Sequence, residues 1–332
     1  MTQLPDLDPA AGLEPWVPEP SAAPGPDPEA EPQGYLVEAA DGARLHFLDW
    51  GGPGAGAGGS GALSGVLLLP GLLQPASSWA PVARRLRRSW RTVIADLRGQ
   101  GLSDAPLTDY DLDTLAADAC TVAEGAGLLA GAAPVVLAGH GFGAIVAAAA
   151  AAALGDRCAG LVLVDGGWER LEVTTGLEVD EFLRGLDEPP EVLRSMAAYL
   201  GDRRGFDPAT WDADQERAAR DAVVETAAGH VVRAVRPFVV EALVRTMFGY
   251  DPADVVAPLA VPVVALVALG AGEPESRLAE LQRTGQARAA AGKPPLRVAE
   301  FPAAAHNLMR YRPAAVAAAI AEPARRSVDP AG

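Results

Sequence analysis

Short, continuous apolar runs alternate along most of the chain with stretches whose apolar residues recur at helical spacing. The apolar runs lie at 65–70, 91–96, 134–139, 160–165, 261–269 and 296–301. The helical stretches lie at 78–87, 112–129, 142–154, 275–291 and from 313 to about 322. Runs without polar alternation are typical of strands that are covered on both faces. The pattern therefore predicts an α/β fold with a mostly parallel central sheet and helices on both faces.

Two other patterns extend this architecture. Two alternating runs within 34–50 flank Asp41-Gly42, which predicts a β-hairpin. Between about Trp168 and Ala257 only helical patterns remain. We expect this helical insertion, residues 166–257, to form a cap between two parts of an α/β core, residues 34–165 and 258–325. In open α/β sheets ligands bind at the carboxyl ends of the strands, and the cap would lie there.

Composition places both ends of the chain outside this core. Residues 1–33 are rich in proline, alanine and acidic residues, and they contain seven carboxylates but no lysine or arginine. Such a composition predicts a disordered tail. Residues 326–332 are expected to form a flexible C-terminus.

Charge and cysteine content narrow the classes of partner. The net charge of −16 at pH 7 disfavours binding to nucleic acid. The longest apolar run, 144–154, is too short to span a bilayer, and no signal peptide is evident, so we expect no membrane partner. The two cysteines, Cys120 and Cys158, have no metal-site or disulfide-framework spacing. These features favour a cytoplasmic protein without metal or cofactor that binds a small molecule, and they leave the oligomeric state open.

Four stretches, in this order, carry a resemblance to the capped members of the α/β-hydrolase superfamily. They are "LLLPGLL" (67–73), "DLRGQGLSD" (96–104), "GHGFG" (139–143) and "AAAHNLMRYRP" (303–313). In that family these stretches match the oxyanion loop, a turn typical of capped members, the nucleophile elbow and the histidine loop. The resemblance covers about 34–325 and implies an α/β-hydrolase fold with a helical cap.

The elbow departs from the family's pattern at its central position. The pattern is G-x-S-x-G, but residue 141 is glycine, so the usual nucleophile is missing. Elbows hold that residue in a strained backbone conformation, which glycine adopts without penalty. In a serine hydrolase, loss of the nucleophile lowers kcat by about 2 × 10⁶. Covalent Ser-His-acid catalysis is therefore not expected.

The resemblance implies roles for the other site residues. His306 is the catalytic histidine, whereas His140 is expected to point away from the reacting atom. The acid is Asp165, at the end of the 160–165 strand, or Glu273, after the 261–269 strand, with Glu275 behind it. The oxyanion donors are the backbone N–H groups of Leu72 and Phe142.

Two functional hypotheses follow. In the first, the chain is a degenerate hydrolase that binds a small apolar molecule. Its pocket would be lined by a minority of the large cap side chains, which are Trp168, Phe182, Met196, Tyr199, Trp211, Phe238, Met247, Phe248 and Tyr250. In the second, His306 with Asp165 or Glu273 activates a water that attacks small esters or lactones.

Overall fold

A computed structural model describes residues 11–53, 65–186, 195–270, 275–302 and 304–326 of the chain. Eleven strands are assigned in these residues. They are β1 (Leu13–Pro15), β2 (Gln33–Glu38), β3 (Arg44–Asp49), β4 (Gly65–Leu69), β5 (Thr92–Ala95), β6 (Val135–His140), β7 (Cys158–Val164), β8 (Val223–Glu225), β9 (Val231–Arg233), β10 (Val263–Leu269) and β11 (Leu296–Pro302).

The helices of the same residues lie mostly between the strands. They are α1 (Ala80–Leu86), α2 (Leu112–Gly125), α3 (Phe142–Leu154), α4 (Leu171–Thr175), α5 (Val179–Leu186), α6 (Met196–Phe206), α7 (Ala213–Asp221), α8 (Pro237–Phe248), α9 (Pro252–Val255), α10 (Glu275–Ala290), α11 (Leu308–Tyr311) and α12 (Pro313–Arg326).

Nine strands form one sheet in the order β1-β11-β10-β7-β6-β4-β5-β3-β2. The first seven strands in this order, from β1 across the sheet to β5, are all parallel to their neighbours. Strand β3 runs antiparallel to β5, and β2 runs antiparallel to β3. Buried side chains form one apolar cluster with α2 and α3 and another with α1 and α12. The prediction of a mostly parallel sheet between helix layers is confirmed, as is the hairpin around Asp41-Gly42.

The insertion at 166–257 contains helices α4 to α9, but the expectation that it holds only helices is wrong. Strands β8 and β9 form an antiparallel hairpin within it, closed by a hydrogen bond from the Thr226 N–H to the His230 carbonyl. Each strand has three residues, which is too short for an alternating pattern to be recognised. The division of the chain into core and cap remains a prediction.

The prediction of a disordered tail at 1–33 is wrong for residues 11–33, and residues 1–10 lie outside the described residues. Strand β1 pairs in parallel with β11 at the edge of the sheet, and Leu13 is buried. The Trp16 N–H donates to the Val298 carbonyl, and the Arg297 guanidinium lies 4.9 Å from the centre of the Trp16 ring. Backbone pairing of this kind does not depend on composition, and composition alone therefore missed it. The flexible C-terminus predicted at 326–332 lies, apart from Arg326, outside the described residues.

The acidic residues of the same segment also have partners. Glu31 forms ion pairs with Arg84 of α1 and with Arg217 of α7, and Arg84 in turn pairs with Asp214 of α7 at 2.9 Å. The N-terminal segment thus joins a core helix to a helix of the insertion. Its carboxylates neutralise arginines that lie far away in sequence.

Candidate active site

Three loops that follow parallel strands of the sheet converge at one place. The chain turns at Gly141 after β6, Asp165 follows β7, and His306 lies between β11 and α11. Neighbouring parallel strands end at the same edge of a sheet, so these loops meet although they are far apart in sequence.

The elbow at Gly141 has the tight geometry that its glycines predict. Gly141 has a φ of +52°, and its N–H donates to the Val164 carbonyl at 3.0 Å. A Cβ on Gly139 would lie 2.1 Å from the Gly143 carbonyl oxygen, and one on Gly143 would lie 2.3 Å from the Leu69 carbonyl oxygen. Both flanking glycines are therefore required for the helix to pack closely on the strand.

His306 and Asp165 form a hydrogen-bonded pair. The Nδ1 atom of His306 lies 2.6 Å from Oδ2 of Asp165, and the second carboxylate oxygen accepts from the Ala268 N–H at 2.9 Å. Burial opposes ionisation of Asp165, but the hydrogen bond from His306 and the charge of Arg277 outweigh it, so its pKa lies below the ordinary value. An ionised carboxylate only accepts hydrogen bonds. Nδ1 therefore carries a proton, and in the neutral form of the ring Nε2 presents its lone pair.

A partly buried arginine and a second carboxylate lie behind this pair. The Arg277 guanidinium is 3.2 Å from Oδ1 of Asp165 and 2.7 Å from Oε2 of Glu169, and it lies 5.3 Å from the centre of the Trp168 ring. Burial raises the pKa of Glu169. Sequence reasoning missed Arg277 and Glu169 because no local pattern connects α10 to the loop after β7.

The imidazole of His306 faces the position that a side chain of residue 141 would occupy. An ideal Cβ on Gly141 would lie 3.3 Å from Nε2 and 3.6 Å from Cε1 of His306. Outside residues 140–142, no other described atom lies within 4 Å of that point. A small space therefore lies between the elbow and the basic nitrogen of the histidine.

The two backbone N–H groups predicted as oxyanion donors belong to the residue after Gly141 and to the loop after β4. The N–H of Phe142 is the first of α3, and the first four N–H groups of a helix have no acceptor within the helix. The Leu72 N–H lies between the N–H groups of Gly71 and Leu73, which donate to the side chains of Gln74 and Gln100 respectively. Among the described residues, no acceptor is found for the Leu72 N–H.

His140 is buried next to the elbow and contacts both neighbouring loops. Its ring nitrogens lie 3.0 Å from Oε1 of Gln74 and 3.0 Å from the His306 carbonyl oxygen, and its ring centre is 4.4 Å from that of His306. Burial lowers the pKa of His140 to about 3, and the nearby His306 acts in the same direction. His140 thus lies, as a neutral ring with a single N–H to donate, between the loop after β4 and the loop after β11. The sequence predicts only that the His140 side chain points away from the reacting atom, and no local signal reveals these two contacts.

Two acidic residues and the large side chains of the insertion complete the set of predicted site residues. Glu273 is outside the described residues, and Glu275 is the first residue of α10. Several large side chains of the insertion pack internally: Trp168 and Tyr250 are fully buried, and Phe182 and Phe248 meet edge to face at 5.5 Å.

The described residues contain no group of histidines, cysteines and carboxylates that could hold a metal. None of their helices is long and apolar enough to cross a membrane.

Solved structures with a similar fold are mostly hydrolases by name. E-2-(acetamidomethylene)succinate hydrolase has a TM-score of 0.68 at 22% identity, over 88% of this chain and 98% of that one. The thioesterase domain from the curacin biosynthetic pathway has a TM-score of 0.63 at 20% identity, over 88% and 99%. A thermophilic esterase from Thermogutta terrifontis has a TM-score of 0.60 at 23% identity, over 90% and 99%. At these identities the likeness shows the fold alone.

Sequence comparison assigns the family. The N-formylmaleamate deformylase of Pseudomonas putida is 38% identical over 128 residues, which are 38% of this chain and 43% of the relative. The match thus spans less than half of that relative's length. A profile of the alpha/beta hydrolase family matches residues 66–319, most of the chain. The chain therefore belongs to the alpha/beta hydrolase family.

Proposed function

We propose that the chain is a hydrolase of small esters or lactones in which His306, oriented by Asp165, activates a water. The water occupies the space that Gly141 leaves by lacking a side chain. The observation that carries this proposal is the position of Nε2 of His306, 3.3 Å from where a Cβ of residue 141 would be. A water oxygen on that side of the elbow, at van der Waals distance from the Gly141 Cα, is within hydrogen-bonding reach of the general base.

The reaction proceeds in two balanced steps. In the first, Nε2 takes a proton from the water while the water oxygen bonds to the acyl carbon, and the carbonyl oxygen becomes an oxyanion. The N–H groups of Leu72 and Phe142 donate to this oxyanion. In the second, the carbon–oxygen bond to the leaving group breaks, and the departing alkoxide takes the proton from His306. The products are a carboxylic acid and an alcohol, which remain joined when the substrate is a lactone.

The buried charges support an active site over a degenerate one. Binding of an apolar molecule does not require an ionised Asp165, whose burial disfavours the charge. Arg277 and the Ala268 N–H contact its carboxylate, and His306 retains the orientation of a general base. The hydrolase, thioesterase and esterase names of similar proteins agree with hydrolytic chemistry. In this proposal residues 166–257 cover the site as a cap.

The test is hydrolysis of short p-nitrophenyl esters and of γ-butyrolactone by the parent chain, His306→Ala and Asp165→Asn. His230→Ala, in an exposed loop of the insertion, is the matched histidine control. We expect slow parent turnover without a burst or an acyl adduct in mass spectrometry, and a loss of about 10²-fold or more in His306→Ala.

Parent rates equal to those of His306→Ala would reject the proposal, and so would an acyl adduct on the parent. If no substrate turns over and a small apolar molecule raises the Tm, the chain is instead a degenerate hydrolase that binds a ligand.

A further inference from the structure

The oxyanion loop adopts a turn that its own residues do not favour. The Gln74 N–H donates to the Gly71 carbonyl at 3.2 Å, which closes a four-residue turn. Leu73, in the third position, has a φ of +63°, whereas Leu72 is not among the positive-φ residues. This combination defines a type II turn, whose third position is normally glycine. A leucine there carries backbone strain, so other contacts must hold the turn.

Gln100 supplies those contacts. This residue belongs to the 96–104 turn and is 1% exposed. Its Oε1 atom accepts from the Leu73 N–H at 2.5 Å, and its Nε2 atom donates to the Gly71 carbonyl at 3.3 Å. One amide therefore binds the peptide groups on both sides of Leu72, with donor and acceptor correctly matched.

These two hydrogen bonds fix two successive peptide planes. In a trans peptide the N–H points opposite to the carbonyl, so holding the Gly71 carbonyl also sets the direction of the Leu72 N–H. Holding the Leu73 N–H prevents the next peptide from flipping to a type I turn, which would relieve the strain at Leu73. After such a flip the Leu72 carbonyl oxygen would face Oε1 of Gln100, and two acceptors would repel.

The 96–104 turn is built to present this side chain inward. The backbone N–H of Gln100 donates to the Leu97 carbonyl at 2.9 Å, and its neighbours Gly99 and Gly101 both have positive φ. A Cβ on Gly101 would lie 2.1 Å from the Asp96 carboxylate. That carboxylate is fixed by N–H groups of Ala76 and Leu102. The turn and the end of the loop that follows β4 are therefore held together.

We propose that Gln100 is a positioning residue that aims the Leu72 N–H at the oxyanion. This inference rests on the proposed function, because it takes Leu72 as an oxyanion donor. Gln100 itself touches neither substrate nor the reacting atoms. It acts by selecting one of two peptide orientations in the loop.

The test uses Gln100→Met, which preserves an unbranched side chain of similar length and removes both hydrogen bonds. Gln215→Met, a buried glutamine of α7, is the matched control. The first readout is amide hydrogen exchange at Leu73, measured by NMR. We expect exchange at least about 10-fold faster in Gln100→Met and unchanged in Gln215→Met.

The second readout is ester hydrolysis, with each substitution placed in the parent and in Gly141→Ser, which supplies a nucleophile to the same oxyanion site. We expect Gln100→Met to lower kcat by about 10- to 100-fold in both backgrounds with KM little changed. A folding defect would instead reduce the amount of active enzyme and the Tm.

An unchanged Leu73 exchange rate or an unchanged kcat overturns the proposal. The water mechanism is rejected if turnover of the parent does not depend on His306. Gln100 is still a positioning residue in that case if Gln100→Met lowers kcat in the Gly141→Ser background. The two failures are therefore distinguishable.

Discussion

Nε2 of His306 lies 3.3 Å from the point where residue 141 would carry its Cβ, so a side chain at this position would face the imidazole. Outside residues 140–142, the imidazole is the only described group within 4 Å of that point. The His306 side chain is 62% exposed and has room to shift by a few tenths of an ångström.

The Gly141→Ser variant is therefore expected to gain esterase activity through a covalent acyl-enzyme. A hydroxyl at this position completes the Ser-His-Asp arrangement, and we expect kcat to rise by about 10³-fold or more over the parent. Burst kinetics with p-nitrophenyl acetate and an acyl adduct in mass spectrometry measure the gain. Gly141→Ala is the control, because it adds the same Cβ at a φ of +52° without the hydroxyl. A serine variant no more active than the alanine variant would contradict this geometry.

Replacement of Arg277 by methionine is expected to destabilise the fold. Arg277 lies between the carboxylates of Asp165 and Glu169, and its removal leaves them without the cation that separates them. Breaking a buried ion pair costs about 3 kcal/mol in the free energy of unfolding. Urea unfolding at pH 7 measures this cost. In the double variant with Glu169→Gln we expect part of the loss to be recovered, and a purely additive loss would show that the charges do not interact.

His140 gives the folded state a defined dependence on pH. Its pKa falls from an ordinary 6.5 to about 3, so the unfolded chain binds this proton more readily than the folded chain. Above pH 6.5 this group does not lower the free energy of unfolding. As the pH falls from 6.5 toward 3, the free energy of unfolding decreases by about 1.4 kcal/mol per pH unit.

In His140→Gln we expect a flatter dependence of the free energy of unfolding on pH between 6.5 and 4.5. Urea titrations at three pH values measure the slope, with His230→Gln as the histidine control. If His140→Gln keeps the parent slope, another group is responsible for the acid sensitivity.

The N-terminal segment provides a test of its own packing. Leu13 is 1% exposed in β1, and truncation to alanine is expected to lower the free energy of unfolding by about 2–3 kcal/mol. Val17, four residues later, is 79% exposed, so Val17→Ala should change it by less than about 0.5 kcal/mol. Equal, negligible effects of both substitutions would mean that this segment is not packed in solution.

Local patterns were sufficient for the sheet, the elbow and the histidine loop, because each depends on residues close together in sequence. The bounds of α3, for instance, match the apolar stretch at 142–154, which ends before a glycine. The resemblance left Asp165 and Glu273 as alternative partners of His306, and the structure places Asp165 within hydrogen-bonding distance of it.

What the sequence did not reveal depends on contacts between distant segments. Arg277 lies 112 positions from Asp165, and Gln100 lies 27 positions from Leu73, and no short motif links either pair. Composition misjudged residues 11–33 for a related reason. Their acidic residues resemble those of a solvated tail until the arginines of α1 and α7 lie beside them.

The parallel pairing of β1 with β11 also constrains the order of assembly. Leu13 is in register with Leu296, so this edge of the sheet joins positions 283 residues apart. During synthesis on the ribosome, the first strand has no partner until almost all of the chain has emerged. Closing such a long loop is entropically costly and slow. The last strand to be made is therefore the one that secures the first.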